Sequence, residues 1–242
     1  MSRPLRALMV PSEELDEARL REIWRLRLEM LTLTRPEEQD WEEFRSAVVG
    51  PDRFVFVFVD PQDTAQGFFT IAMLPVDLGR RRMLLMFSKY FYFRRAYRGH
   101  PKTILAPWRL LPVAVRRFGV RSLHFVTTAY PQSYVSLTRT SGRTWSLRDE
   151  AAPAWAREAL VAFAETFYPM SFDPEGGVVR GGNVADSESL PRSADARALV
   201  RRYEELNPEW RDGVSLPILF SVDPRLVRTS ATRSVRRLVR RG

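Results

Sequence analysis

Phe91-Tyr92-Phe93-Arg94-Arg95-Ala96-Tyr97-Arg98-Gly99 is the stretch whose reading decides the fold. Its first three residues, all aromatic, close an apolar run that begins near Met83, a composition suited to a long strand from about Met83 to Phe93. Arginines then replace the aromatics, and Gly99 marks a turn. From Thr103 to Phe118 the pattern is helical, with Gly119 as a C-terminal cap and Pro107 and Pro112 interrupting it. The chain therefore passes from a strand through a cationic turn into a helix. N–H groups at a helix start lack internal partners, so such a turn suits phosphate.

Upstream, Arg53 to Val59 alternates Phe and Val and predicts a strand. Asp60-Pro61-Gln62-Asp63 is a turn, and Gln66 to Leu74 pairs back as an antiparallel strand. Before these lie a short strand, Leu5 to Val10, and a helix opened by Ser12 as N-cap and running to about residue 33. A second helix follows Arg35-Pro36-Glu37-Glu38, with Trp41, Phe44 and Val48 on one face, and stops at Gly50-Pro51.

Downstream come a strand, Val120 to Thr128, a short helix, Gln132 to Thr140, and a longer helix, Pro153 to Phe167. Asp173 to Ala194 is rich in Gly, Ser, Asp and Pro and reads as a long loop. A helix from Asp195 to Leu206 and a last strand from Val214 to Val222 precede a basic tail. The expected organisation is one α/β domain over residues 1–222, with a core at 5–142, an extension at 143–222 and the tail at 223–242. The strand order does not match a dinucleotide-binding βαβ repeat.

Composition narrows the function. The 242 residues are 45% hydrophobic, enough for one sizeable core. Cysteine is absent, which excludes disulfides, thiolate metal sites and a cysteine nucleophile. The only histidines are His100 and His124, which argues against a multi-histidine metal site. The N-terminal apolar run is too short for a signal peptide, and no run suits a membrane span, so a soluble cytoplasmic protein is expected. The net charge is +9, but 38 basic residues include only two lysines, Lys89 and Lys102. That skew fits a GC-rich genome and weakens a nucleic-acid reading. The excess suits phosphates or an acidic protein partner at least as well.

The order of elements and the segment Phe91 to Gly99 resemble the GNAT superfamily of acyl-CoA-dependent N-acyltransferases. The resemblance covers about residues 5 to 142. It implies a central mixed, mostly antiparallel twisted sheet flanked by helices, here with a C-terminal extension. It also implies acyl-CoA, or an acyl-phosphopantetheine on an acidic carrier protein, as co-substrate, and a small-molecule or peptide amine as acceptor. The binding positions it implies are Phe93, Arg95, Arg98, Gly99, Lys102 and Thr103. Family members carry small residues where Pro101 and Thr103 stand, and Pro101 has no N–H to donate. Oxyanion donors in the family are main-chain N–H groups of the fourth strand, where Ser88-Lys89 interrupts the apolar run.

For proton transfer the candidates are His124 and Tyr134. The family carries a tyrosine that protonates the leaving thiolate, and aligning on Gly142 puts Thr138 there, with Tyr134 one helical turn earlier. His124 is the near-neutral titrating side chain of its strand, and Glu29 is a carboxylate from the early helices. Packing roles compete with catalysis at both His124 and Tyr134. Two other readings stay open: a catalytically inactive binding or regulatory module of the same fold, and a nucleic-acid binder acting through the tail.

Overall fold

The computed structural model describes residues 4–30, 33, 36–79, 81–97, 100–119, 122–141, 144–181 and 193–221. They fall into two compact units. Of the described residues, the first takes those within 4–73 and 87–119, the second those within 74–86 and 122–221. Gly142, the stretch 182–192 and the tail from 222 lie outside the described residues.

In the first unit the strands are β1 (Arg6–Pro11), β2 (Arg53–Val59), β3 (Ala65–Leu78, which runs on into the second unit) and β5 (Phe91–Phe93). β4 (Arg81–Phe87) belongs mainly to the second unit. The ladders β1–β2, β2–β3 and β3–β5 are antiparallel. β2 explains its own sequence. Val55, Val57 and Val59 go to one face and Phe54, Phe56 and Phe58 to the other, and all six are buried.

The valine face is covered by α1 (Glu17–Leu28) and α2 (Glu37–Val48). Their Leu20, Ile23, Trp24, Leu26, Trp41, Phe44 and Val48 share one cluster with the valines and Tyr90. Asp16, not Ser12, caps α1, its side chain accepting from the Arg19 N–H at 2.8 Å. The Ser12 hydroxyl is instead buried and bonded to both the N–H and the carbonyl of Gly50. Arg53 answers the end of α2, donating to the carbonyls of Ser46, Ala47 and Val49.

A feature that periodicity does not reveal joins the two helices. Asp40, 1% exposed, accepts from both terminal nitrogens of Arg27 and from the Trp24 indole at 2.9 Å. A buried carboxylate is tolerable only with such a complement of donors.

The helix expected over Thr103 to Phe118 is three pieces: α3 (Pro101–Leu105), a 3-10 stretch (Ala106–Leu110) and α4 (Leu111–Phe118). Each proline lies in the first turn of its piece, where a missing N–H costs nothing. Gly119 ends α4 with φ 61°, as the cap expectation requires.

The second unit holds β4, β6 (Leu123–Ala129), β10 (Leu216–Ser221) and β7 (Thr144–Ser146), neighbours in that order. β10 pairs antiparallel with both β6 and β7. Around them lie α5 (Pro131–Ser141), α6 (Ala154–Phe167) and α7 (Ala194–Leu206). The Tyr203 hydroxyl donates to the Ala129 carbonyl at 2.6 Å, and the Asn207 amide donates to the Val214 carbonyl at 2.9 Å. These two bonds tie α7 to the ends of β6 and β10 beside the fully buried Trp210. The fold is thus α/β with a mostly antiparallel sheet, as expected.

Part of the expected loop is ordered structure. Within Asp173 to Ala194 the chain first forms a hairpin of β8 (Phe172–Asp173) and β9 (Val178–Val179), whose two valines are buried. Gly177, with φ 63°, makes the turn. Arg148 fastens the hairpin by donating to the Gly176 carbonyl at 2.5 Å and to the Leu206 carbonyl at 3.0 Å.

Candidate functional site

The expected single strand from Met83 to Phe93 is interrupted at Ser88, Lys89 and Tyr90, which separates β4 from β5. On the far side of the break, Thr70 N–H donates to the Tyr90 carbonyl at 3.1 Å and Arg94 N–H to the Gln66 carbonyl at 3.0 Å. Antiparallel pairing alternates, so Tyr90, Tyr92 and Arg94 turn their main-chain groups toward β3. Phe91 and Phe93 direct theirs to the opposite edge of β5.

Phe93 is 3% exposed. Its ring lies on Gly67 so closely that a Cβ there would meet the ring at 2.0 Å. The side chain fills the core beside Phe58 (centroids 5.0 Å apart), so only its main chain is turned outward. Arg94 is committed to structure: it holds the Glu29 carboxylate with two nitrogens and the Gln66 side chain with a third. Arg94 keeps Glu29 below the usual carboxylate range, ionised and occupied, a poor arrangement for a base. Arg95 is exposed and makes no bond among the described residues. Arg98 and Gly99 lie outside the described residues.

The start of α3 is internally satisfied. Pro101 has no N–H, Lys102 N–H donates to His100 Nδ1 at 3.2 Å, and Thr103 N–H donates to the His100 carbonyl at 3.0 Å. The side chains behave alike. Lys102 Nζ donates to the Leu5 carbonyl at 2.5 Å, and the buried Thr103 hydroxyl to the His100 carbonyl at 2.7 Å. Arg109 similarly takes the Ala7 carbonyl at 2.9 Å, so two cations cover the outer edge of β1. Burial, and then the Lys102 charge, lower the His100 pKa, keeping the imidazole neutral in its capping role.

In the second unit His124 is 8% exposed on β6. Its Nε2 lies 2.6 Å from the Ser122 hydroxyl, and its ring packs on Trp155 with centroids 5.1 Å apart. Burial, reinforced by the Arg81 charge, lowers its pKa to about 4. The imidazole is neutral at pH 7 and able to accept a proton only weakly. Tyr134 on α5 is 7% exposed, its ring against Tyr203 with centroids 5.4 Å apart. Thr138, at the position aligned with the family tyrosine, bonds the Thr144 hydroxyl at 3.0 Å. The Asn207–Trp210 turn serves packing, with Asn207 and Trp210 wholly buried.

Among the described residues no cluster of His, Asp and Glu is placed to hold a metal, and no helix is long and apolar enough to cross a membrane. Sequence reasoning missed the main-chain direction of β5, although the alternation of strand groups about Tyr90 carries it.

No family model matches the chain, and no curated protein matches it. Solved structures do. Arabidopsis thaliana NAA60, in complex with a bisubstrate analogue, is 8% identical, over 90% of this chain and 100% of that one, with a TM-score of 0.43. The aminoglycoside 6'-N-acetyltransferase AAC(6')-Ih of Acinetobacter baumannii is 12% identical, over 57% of this chain and 88% of that one, with a TM-score of 0.42. A predicted acetyltransferase of Clostridium acetobutylicum with acetyl-CoA is 10% identical, over 62% of this chain and 95% of that one, with a TM-score of 0.43. All three likenesses are low in identity and have TM-scores below 0.5.

Proposed function

We propose that the chain is an acyltransferase of the GNAT type, moving an acyl group from a phosphopantetheine thioester to an amine. The observation that carries this reading is β5: a strand broken at Ser88–Tyr90 whose Phe91 amide is directed away from β3. Main-chain donors fixed at a strand edge suit a thioester carbonyl, because their dipoles need no reorganisation as the oxyanion develops. In the reaction the amine nitrogen bonds to the thioester carbon, the carbon–sulfur bond breaks, the amine loses a proton and the thiolate gains one. His124 and Tyr134 are the side chains this reading assigns to those proton transfers. Acyl-CoA and an acyl group on an acidic carrier protein both fit as donor, and the Arg-rich surface suits the second.

Calorimetric titration with CoA, acetyl-CoA and an acylated carrier protein tests the proposal. Saturable binding of one donor is expected, and thiol release in the presence of mixed amines should follow. Absence of binding to every donor would overturn it.

One observation favours the second reading, a binding module without turnover. The α3 start, Lys102, Thr103 and Glu29 are all engaged with the protein itself. That reading expects donor binding with no thiol release, or no donor binding at all.

A further inference from the structure

Phe91 is one of four large hydrophobic side chains left exposed among the described residues, at 63%. Unlike the others, Met170, Leu105 and Val115, it belongs to the strand whose amides face outward. Its ring also ends an ordered stack. Phe56 and Phe69 lie 4.5 Å apart between centroids with planes at 21°, and Phe69 and Phe91 lie 5.8 Å apart at 16°. Phe93 packs beside it at 5.0 Å. The inner rings are fixed, Phe56 and Phe69 being buried on β2 and β3, so Phe91 presents its ring from a rigid base.

Such a surface matches apolar carbon, not a solvated polar group. From it we infer that Phe91 is the platform for the acyl chain of the thioester donor, and that the donor carries an acyl group longer than acetyl. The inference rests on the thioester reading. A carbonyl held by the outward amide of Phe91 brings its acyl carbon beside the same residue, whose ring then removes the first few methylenes from water. An acetyl group is too short to cover the ring. A methylene covered on one side gains about half the transfer energy of a fully buried one, which corresponds to about twofold in affinity.

The experiment is a calorimetric series of free CoA, acetyl-CoA, butanoyl-CoA and octanoyl-CoA against the full chain, Phe91→Ala and Phe91→Leu. Phe91→Leu keeps apolar bulk and guards against a variant that fails to fold. Expected is an affinity rising about sixteenfold from butanoyl to octanoyl in the wild type, about twofold for each of the four added methylenes. That gradient should be flat in Phe91→Ala and intermediate in Phe91→Leu, with free CoA binding all three alike. A gradient equally steep in Phe91→Ala, or a wild type indifferent to chain length while binding CoA, would overturn the inference alone. Failure of free CoA and every thioester to bind would overturn the thioester reading, and this inference with it.

Discussion

The strand end at β5 and the strand β6 were both expected to carry chemistry, and the protein uses them in opposite ways. At β5 the side chains are structural, with Phe93 sealed over Gly67 and Arg94 clamped on Glu29, while the main chain of Phe91 and Phe93 is turned outward. On β6 the pairing with β10 takes up main-chain groups, and the titratable side chain is folded in: His124 lies under Trp155 and against Ser122. A sequence shows side chains and hides backbone direction. It therefore points readily to His124 and poorly to the outward amides of β5.

The sharpest way to break this contrast is to spoil the base of β5. Alanine at Gly67 would put a methyl 2.0 Å from Phe93, a contact that no small adjustment relieves. Expelling the ring forfeits much of what a Phe truncation does, so Gly67→Ala should destabilise by about 3 kcal/mol or more in urea unfolding. A cycle with Phe93→Leu should recover part of the loss, because the two substitutions share one contact. Additive effects would show that Phe93 is not held by Gly67.

The second test falls on β6 and depends on pH. The folded-state pKa of His124 is about 4, below its ordinary value of 6.5, so between these values the unfolded chain binds more protons. Stability from neutral burial is complete above pH 6.5 and is lost as pH falls through 6.5 toward 4. Wild type should lose roughly 3 kcal/mol more than His124→Gln between pH 7 and pH 4, measured by denaturant unfolding. Parallel pH profiles would mean that His124 titrates freely and is not sealed by Trp155.

The same asymmetry decides what could be read without a structure. The element order, the two-faced strand Arg53 to Val59 and the Gly119 cap were legible because each depends on local periodicity or on one backbone angle. Three things were not. Asp40 looks like any polar helix residue, and only the approach of Arg27 and Trp24 from the other helix makes it a buried anion. The break at Ser88–Tyr90 was marked only by the polar pair Ser88-Lys89, which interrupts the apolar run without showing that one strand becomes two. The hairpin within Asp173 to Ala194 is held by Arg148 and by two small buried strands, contacts remote in sequence from a Gly-rich stretch.

The smallest change separates packing from chemistry at Tyr134. Tyr134→Phe keeps the ring against Tyr203 and removes only the hydroxyl, so the stability change should stay within about 0.5 kcal/mol. As the proposed donor of the thiolate's proton, Tyr134 should nevertheless matter to turnover. General acid catalysis contributes about a hundredfold or more, so thiol release should fall by that order while donor affinity holds. Thiol release is the deciding readout, because the substitution preserves the ring packing and a residue that only packs would leave both stability and turnover unchanged. Unchanged thiol release would assign Tyr134 to the α5 core alone and leave the outward amides of β5 to carry the reaction. The contrast would then sharpen, with main chain turned outward at β5 and the Tyr134 side chain serving only packing in the second unit.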